Sequence, residues 1–341
     1  MLHYKDNQPY IEGVAVDDII KTHVTPFYVY SQTAISKTYK ELQNALNAEI
    51  FYAVKANSNQ AIIKFIRSLG AGADVVSVGE LKRALSAGVE SQKIIFEGVG
   101  KSLEDILFAI EQNIRLINIE SLEELHQINS IATSINKKVN VGIRLNPNID
   151  SKTLDQISTG KETDKFGIAI DELSNIVTSI KQTNSLNLIG ISCHIGSQIY
   201  NINVFEKIFK VMKNAAHKIL QEGISIKYLD LGGGIGVQYM PTDPILNLED
   251  LKNLISSNFS NVPYSISFEP GRYLVAKAGY LITKIVTTKK NGGVNYLITD
   301  AGMNTFIRPS LYKATHQITS INSSSKKNLE YTIAGPICES S

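Results

Sequence analysis

The sequence contains no tryptophan and only two cysteines, Cys193 and Cys338, among its 341 residues. Two cysteines are too few for a disulfide framework, and they lack the spacing of a metal site. No apolar run is long enough to cross a bilayer, and the polar start MLHYKDNQPY has no apolar core of signal-peptide length. We therefore expect a cytoplasmic protein that binds no metal.

An excess of either charge is also missing. Lys and Arg number 34 against 32 Asp and Glu, which leaves a formal net charge of +2. This balance gives no reason to expect a nucleic acid or an acidic membrane as partner. The hydrophobic fraction of 43% and the charged fraction of 19% are typical of a globular protein whose length allows one or two sizeable cores.

Short apolar runs alternate with longer amphipathic runs along most of the chain, a pattern typical of βα units around a parallel sheet. Eight runs are predicted strands: 50–55, 73–77, 93–97, 116–120, 139–145, 188–194, 227–231 and 265–269. Helices are predicted between them, for example over 59–69, 79–87, 103–112, 204–221 and 248–257. Ser102 with Asp105, and Ser121 with Glu124, have the spacing of helix N-caps.

Eight strands that alternate with helices predict a (β/α)₈ barrel. A doubly wound open sheet is the competing interpretation. The first strand–helix turn, KANSN, argues against it because it carries no G-x-G-x-x-G fingerprint. The pattern changes near Gly279, where β-rich runs flank Asn291-Gly292-Gly293, a strong hairpin signal. We expect a barrel over 31–277 and a second, all-β domain built from 1–30 and 278–341.

Barrel enzymes place their chemistry where strands end, and the unusual residues of this chain fall there. Lys55 closes the first strand. A lysine at a strand end is usually a solvated surface charge, but in a partly dry barrel mouth its pKa is lowered and it can form a Schiff base with a carbonyl. Cys193 should point away from the neighbouring His194 and serve packing only.

A phosphate site is predicted across the barrel mouth. Gly232, Gly233 and Gly234 follow the seventh strand, where barrels often bind phosphate through backbone amides, although glycine triplets mostly serve turns. Gly271 and Arg272 after the eighth strand, and the Ser197 hydroxyl, are candidate further donors.

Two further strand-end residues suit a pyridine ring. A carboxylate such as Glu269 beside a pyridine nitrogen keeps that nitrogen protonated, which favours decarboxylation over racemisation. The alternative is a salt bridge between Glu269 and Arg272. His194 could lie flat on a cofactor ring, although a lone histidine there is more often a hydrogen-bonded core residue.

Two clusters lie in the predicted β domain. Arg308 and Tyr312 stand in an otherwise apolar segment and suit a substrate carboxylate. Cys338 and Glu339 lie near the end of the sequence, where the thiol is either buried filler or a proton donor.

Together these segments resemble the fold-type III pyridoxal-phosphate-dependent decarboxylases, and within them most closely the diaminopimelate decarboxylase family. The resemblance covers nearly the whole chain in the family's order. The matching segments are FYAVKANSN, DVVSVGEL from Asp74, HIGSQI, DLGGGIG, EPGRYLVAKAG, MNTFIRPSLYKATH and GPICES.

The resemblance implies roles for individual residues. Lys55 would bind pyridoxal 5′-phosphate covalently, His194 would stack on its ring and Glu269 would pair with its nitrogen. The remaining residues expected around the cofactor are Asp74, Ser197, Gly232, Gly233, Gly234, Pro270, Gly271 and Arg272. Those expected at the far end of the substrate are Arg272, Arg308, Tyr312 and Glu339.

The implied reaction converts meso-diaminopimelate to L-lysine and carbon dioxide in a homodimer, with Cys338 of one subunit protonating the product in the other. In the family the chain continues beyond the CES motif, so we expect an incomplete β domain here. Two rival interpretations stand beside this one. One is a decarboxylase of ornithine, arginine or carboxynorspermidine, or a racemase, and the other is a cofactor-binding homologue without turnover.

Overall fold

The computed structural model describes residues 2–150, 159–161, 163–321 and 329–339. Its strands are β1 Leu2–Lys5, β2 Gln8–Ile11, β3 Val14–Ala15, β4 Phe27–Tyr30, β5 Glu49–Ala53, β6 Gly72–Val75, β7 Ile94–Phe96, β8 Leu116–Ile119, β9 Val139–Asn146, β10 Ile168–Ala169, β11 Leu186–Cys193, β12 Tyr228–Asp230, β13 Ser265–Phe268, β14 Gly279–Ile282, β15 Ile285–Asn291, β16 Val294–Thr299 and β17 Thr332–Ala334.

Its helices are α1 Val16–Thr22, α2 Gln32–Leu46, α3 Gln60–Ser68, α4 Val78–Ser86, α5 Leu103–Glu111, α6 Leu122–Ser134, α7 Leu173–Lys181, α8 Ile202–Gln221, α9 Leu248–Phe259, α10 Arg272–Val275 and α11 Arg308–Tyr312. In the described part of the chain no helix has the length and apolarity that crossing a membrane requires.

The chain divides into two compact units. The barrel unit consists of 36–237 and 244–275, and the β-rich unit consists of 1–35, 238–243 and 276–341. The predicted domain boundaries, with a cofactor-binding barrel over 31–277 and a β domain built from 1–30 and 278–341, stay a prediction.

Eight parallel strands close the barrel in the order β5-β6-β7-β8-β9-β11-β12-β13, with β13 pairing back to β5. β10 adds to β9 outside this ring. Each of the eight predicted strands overlaps one barrel strand, so the predicted barrel is confirmed. A closed parallel barrel brings all eight strand ends to one face, which is how distant residues of this sequence meet.

The barrel strands are mostly apolar because both of their faces are covered. All four residues of β6 and of β8 are buried, as a parallel sheet with helices outside and a packed interior requires. The outer layer packs through α8, whose Phe209 ring contacts the rings of Phe259 on α9 and Phe268 on β13 at centroid distances of 5.3 and 6.3 Å. Burying such a side chain contributes roughly 1.5–3 kcal/mol.

The two predicted N-caps differ in detail. Ser102 and Asp105 make both hydrogen bonds of a capping box at the start of α5. Ser121 accepts from the Glu124 amide, but the Glu124 carboxylate accepts from the Glu120 amide at 2.8 Å and pairs with buried Lys101 at 2.9 Å. The Glu124 carboxylate therefore binds the Glu120 amide and Lys101 and does not complete a capping box at the start of α6.

The β-rich unit contains three small sheets, β1-β2-β3, β14-β4 and β15-β16-β17, together with α1 and α11. The predicted hairpin is confirmed, since β15 and β16 pair antiparallel up to Asn291 and Val294. Gly292 and Gly293 form its two-residue loop with φ of 53° and 85°. Both angles lie in the region where a Cβ is unfavourable, which explains why glycine occupies both positions.

Candidate active site

Lys55 lies where the first barrel strand turns into its helix. A single 3₁₀ turn, Val54–Ala56, follows β5 and buries Val54 while Lys55 keeps 46% of its side chain exposed. The Lys55 Nζ lies 3.7 Å from Oδ2 of Asp74, which is buried near the end of β6. Burial raises the pKa of Asp74 and the Lys55 charge partly opposes this rise. Lys55 is thus more than a solvated surface charge, because it faces a buried carboxyl group.

Glu269 follows β13 directly and is buried. Its Oε1 has no hydrogen-bond partner among the residues that the structure describes. Burial, followed by the nearby Asp230 and Asp74, raises the pKa of Glu269 well above its usual value, and Lys55 opposes the rise. A buried carboxyl oxygen without a donor is costly, so this site is chemically suited to a ligand that brings an N–H group.

The glycine loop packs its backbone directly against two neighbouring strand ends. A Cβ on Gly232 would lie 2.2 Å from the Cys193 carbonyl oxygen, and one on Gly233 would lie 2.3 Å from the Glu269 carbonyl oxygen. The Gly232 amide donates to Asp230 Oδ1 at 2.7 Å, and the Glu269 amide donates to the Gly232 carbonyl at 2.8 Å. Only glycine fits here, so this triplet has a packing role beyond that of a turn.

His194 is partly buried immediately after β11. Its Nδ1 accepts a hydrogen bond from the Gly233 amide at 3.2 Å. Burial, with smaller contributions from Lys55 and Arg144, holds the pKa of His194 well below its usual value. The ring is therefore neutral with its proton on Nε2, and the glycine loop fixes its orientation.

Ser197 and Arg272 meet at the start of α10, where the Arg272 Nε donates to Ser197 Oγ at 2.9 Å. Just before Arg272, a Cβ on Gly271 would lie 2.9 Å from Ala56 Cβ, and the Ala53 amide donates to the Pro270 carbonyl at 3.4 Å. These contacts tie the end of the eighth barrel strand to the turn that carries Lys55. The predicted barrel residues therefore gather on one face.

The sequence interpretation missed a buried polar network inside the barrel. Arg144 on β9 donates to Glu97 at 3.4 Å and to Glu120 at 2.9 Å, and Ser192 donates to Glu97 at 3.0 Å. Burial is the largest cause that raises the pKa of Glu97. The available signal was a charged residue in an otherwise apolar strand, as in VGIRLN.

Asp230, at the end of β12, was also missed. Ser267 donates to its Oδ2. Burial raises the pKa of Asp230 to about 7, although the hydrogen bonds from Ser267 and Gly232 oppose the rise. Cys193 is buried as expected for a packing residue, and burial raises the pKa of its thiol.

The remaining predicted residues belong to the β-rich unit. Arg308 and Tyr312 are the first and last residues of α11, and the Arg308 guanidinium lies 5.6 Å from the Tyr312 ring centroid and 4.8 Å from that of Tyr239. Cys338 is an exposed free cysteine and Glu339 is exposed beside it. Ser340 and Ser341 of the CES motif region lie outside the described residues.

The barrel face meets the requirements of pyridoxal phosphate. A lysine beside a buried carboxyl group can bind its aldehyde, the partnerless Glu269 oxygen suits its ring nitrogen, and the glycine loop with Ser197 and Arg272 suits its phosphate. Residues 32–276 match the family model described as the pyridoxal-binding domain of pyridoxal-dependent decarboxylases. The cofactor is pyridoxal phosphate.

Comparison with curated proteins and solved structures narrows the class. Diaminopimelate decarboxylase of Aquifex aeolicus is 40% identical over 339 residues, which cover 99% of this chain and 81% of that protein. The structure of Helicobacter pylori diaminopimelate decarboxylase complexed with L-lysine has a TM-score of 0.90 at 39% identity, covering 95% of this chain and 82% of the other.

The structure of diaminopimelate decarboxylase from m. jannaschii in co-complex with L-lysine has a TM-score of 0.92 at 35% identity, covering 100% of this chain and 82% of the other. The chain belongs to the diaminopimelate decarboxylase family of pyridoxal-phosphate-dependent decarboxylases.

Proposed function

We propose that this enzyme removes one carboxylate from meso-diaminopimelate and releases L-lysine and carbon dioxide. The observation that carries the proposal is the buried Glu269 carboxyl group, whose Oε1 has no partner, on the same barrel face as Lys55. Relatives that are 40% and 39% identical to this chain over the aligned residues carry the same activity in their names.

Pyridoxal phosphate, when bound, supplies a sink for the electron pair that the departing carboxylate leaves behind. Glu269 holds a proton on the ring nitrogen, because a buried carboxylate and a protonated nitrogen stabilise each other in a medium of low polarity. His194 stays neutral, so it supports a flat ring without adding a second positive charge. Lys55 supplies the amine that holds the cofactor and can move a proton at the reacting carbon.

We further propose that Ser197, Gly232, Gly233, Gly234, Gly271 and Arg272 bind the phosphate, while Asp74 and Pro270 complete the pocket. Asp74 would keep Lys55 oriented, since the two side chains already lie 3.7 Å apart. Arg308, Tyr312 and Glu339, with Arg272, would bind the end of the substrate that is not decarboxylated. A planar guanidinium suits a carboxylate there through two parallel hydrogen bonds.

The active form would be a homodimer in which Cys338 protonates the product in the partner's site. The exposed free thiol of Cys338 supports this role, in contrast to buried Cys193. We expect two inactive variants, Lys55→Ala and Cys338→Ala, to regain about a quarter of the native activity when their subunits are exchanged in a 1:1 mixture. Mixed subunits that stay inactive would contradict shared sites, and Cys193→Ala mixed with Lys55→Ala gives the matched control.

The substrate assay compares meso-diaminopimelate with L-ornithine, L-arginine, L-lysine and carboxynorspermidine under saturating pyridoxal phosphate. We expect carbon dioxide and L-lysine in equal amounts from meso-diaminopimelate, and at most trace turnover of the other compounds. Turnover of one of the others without meso-diaminopimelate activity would replace the proposed substrate. Cofactor binding with no turnover of any of them would identify a binding protein.

A further inference from the structure

The segment MNTFIRPSLYKATH, which carries Arg308 and Tyr312, ends in a residue that the proposed function leaves without a role, His316. The Arg308 Nε donates to His316 Nε2 at 3.3 Å. The two residues lie on either side of Lys313, whose φ of 51° ends α11 in the left-handed region and turns the chain back. The turn thus brings the imidazole alongside the guanidinium.

Aromatic rings hold both members of this pair. The His316 ring contacts Phe306 and Tyr239 with centroid distances of 4.7 and 5.3 Å, and both contacts are edge-to-face. The Arg308 guanidinium lies 4.8 Å from the centroid of the same Tyr239 ring. Tyr239 therefore contacts the imidazole and the guanidinium together, which leaves little rotational freedom to either.

The hydrogen bond at Nε decides how Arg308 can receive an anion. A guanidinium binds a carboxylate with two parallel bonds either through Nε and one terminal nitrogen or through its two terminal nitrogens. His316 occupies Nε, so a carboxylate that binds with two bonds has to use the edge formed by Nη1 and Nη2. The imidazole thereby selects one direction of approach.

We propose that His316 is a positioning residue for substrate recognition, which holds Arg308 so that its terminal nitrogens bind the carboxylate retained in the product. The inference rests on the proposed function. Acceptance at Nε2 requires the neutral ring with its proton on Nδ1. The charged and titratable groups that face the ring are Arg308 on α11 and Tyr239 from segment 238–243, and Phe306 adds an apolar face.

The charge state of His316 fits this role. Burial, with the Arg308 charge as the second cause, lowers the pKa of His316. The ring is therefore neutral at neutral pH and still accepts the bond. Protonation below the lowered pKa would remove the acceptor and place a second positive charge beside Arg308.

The test compares L-lysine with cadaverine, which is L-lysine without its carboxylate, as competitive inhibitors of the holoenzyme. In His316→Phe we expect the inhibition constant of L-lysine to rise about tenfold, because a hydrogen bond to a charged group is lost, while that of cadaverine stays within twofold. KM for meso-diaminopimelate should rise with little change in kcat. His316→Gln, whose amide oxygen can accept the same bond, should restore the parent constants.

Two results would overturn the proposal: an unchanged ratio between the two inhibition constants, whether both stay the same or both rise equally, or no rescue by glutamine. Measurements on the unsubstituted enzyme distinguish failure of the His316 proposal from failure of the proposed function. If that enzyme neither decarboxylates meso-diaminopimelate nor binds L-lysine, both proposals are contradicted. A nitrogen NMR titration of His316 is independent of activity. It should show Nδ1 protonated at neutral pH and a higher pKa in Arg308→Ala, and Nε2 protonated at neutral pH would also overturn the proposal.

Discussion

The barrel unit and the β-rich unit hold their charged side chains in different ways. Inside the barrel, carboxyl groups such as Asp74, Asp230 and Glu269 are buried, and burial raises their pKa values. In the β-rich unit, Arg308 is partly exposed and lies against aromatic rings and His316. In the barrel, burial changes the pKa values of carboxyl groups. In the β-rich unit, the contacts around Arg308 fix the orientation of its permanently charged guanidinium.

Within the barrel the buried carboxyl groups fall into two sets. Glu97 and Glu120 bond to Arg144, and Glu124 bonds to Lys101. Neither oxygen of Asp74 has a hydrogen-bond partner among the described residues, and neither does Oε1 of Glu269. Asp74 still has the Lys55 charge 3.7 Å away, whereas leaving a buried oxygen such as Glu269 Oε1 unsatisfied costs about 1–3 kcal/mol, so Glu269 is suited to a ligand that supplies the missing donor.

The largest expected effect is that of Lys55→Ala on turnover. We expect kcat to fall about 10⁴-fold with an unchanged fold, because we propose the lysine as both the cofactor's anchor and a proton carrier, and because 46% of its side chain is exposed. Steady-state kinetics and circular dichroism measure the two quantities. Lys64→Ala, at an exposed position of α3, is the matched control, and activity near the parent's in Lys55→Ala would contradict the assignment.

Arg144→Leu tests the buried carboxyl groups that pair with a cation, here Glu97 and Glu120. Removing one partner of a buried ion network leaves Glu97 and Glu120 without their cation, so we expect the free energy of unfolding to fall by about 3–5 kcal/mol. Urea denaturation of the cofactor-free protein measures it. Lys21→Leu, which breaks an exposed pair with Asp18, should cost at most about 1 kcal/mol. Equal losses in the two variants would show that burial does not distinguish these pairs.

Glu269→Gln tests a buried carboxyl group with an oxygen, Oε1, that has no hydrogen-bond partner among the described residues. We expect kcat to fall about 10²-fold, because a neutral amide cannot keep the ring nitrogen protonated. Stability without cofactor should hold or increase, since a buried carboxyl group with no hydrogen bond to Oε1 is replaced by a neutral side chain. The control is Glu249→Gln on the surface of α9. A strong loss of stability in Glu269→Gln would indicate a structural salt bridge instead.

Arg308→Lys tests the β-rich unit. An ammonium ion keeps the charge but loses the planar fork and the stacking on Tyr239, so we expect KM for meso-diaminopimelate to rise about tenfold. Both kcat and the unfolding temperature should stay near the parent values. A loss in kcat comparable to that of Glu269→Gln would remove the distinction between the two units.

A separate expected effect is a pH dependence of barrel stability. The pKa of Asp230 is about 7 in the folded chain, above its usual 3.8, so the folded state binds a proton that the unfolded state has already lost. Its contribution to stability is complete at acidic pH and is lost as pH rises from about 4 to about 7. Denaturation at several pH values should show a shallower decline in Asp230→Asn, and an identical slope would contradict the raised pKa.

Local patterns were sufficient to predict much of the fold. The run 50–54 (IFYAV) is uniformly apolar because the barrel covers both faces, and the Gly292-Gly293 turn has its own backbone signature. Lys55 and Glu269 were identified because polar residues at strand ends share one face in any barrel.

Contacts that depend on neighbouring strands and loops could not be predicted in the same way. Arg144 reaches Glu97 and Glu120 across 47 and 24 residues of sequence, and the pairing follows from strand positions within the closed ring. The Arg308–His316 bond is close in sequence, but it depends on the left-handed turn at Lys313. Helical or strand periodicity contains no information on such a turn.

We propose that Lys55 holds pyridoxal phosphate at this barrel face, and the other cofactor contacts depend on it. The most direct measurement is borohydride reduction of the loaded protein, followed by peptide mass mapping of the modified residue. We expect a reduced pyridoxyl group on Lys55, near one per chain, and none at that position in Lys55→Ala. Modification spread over exposed lysines such as Lys64, with Lys55 unmodified, would contradict it.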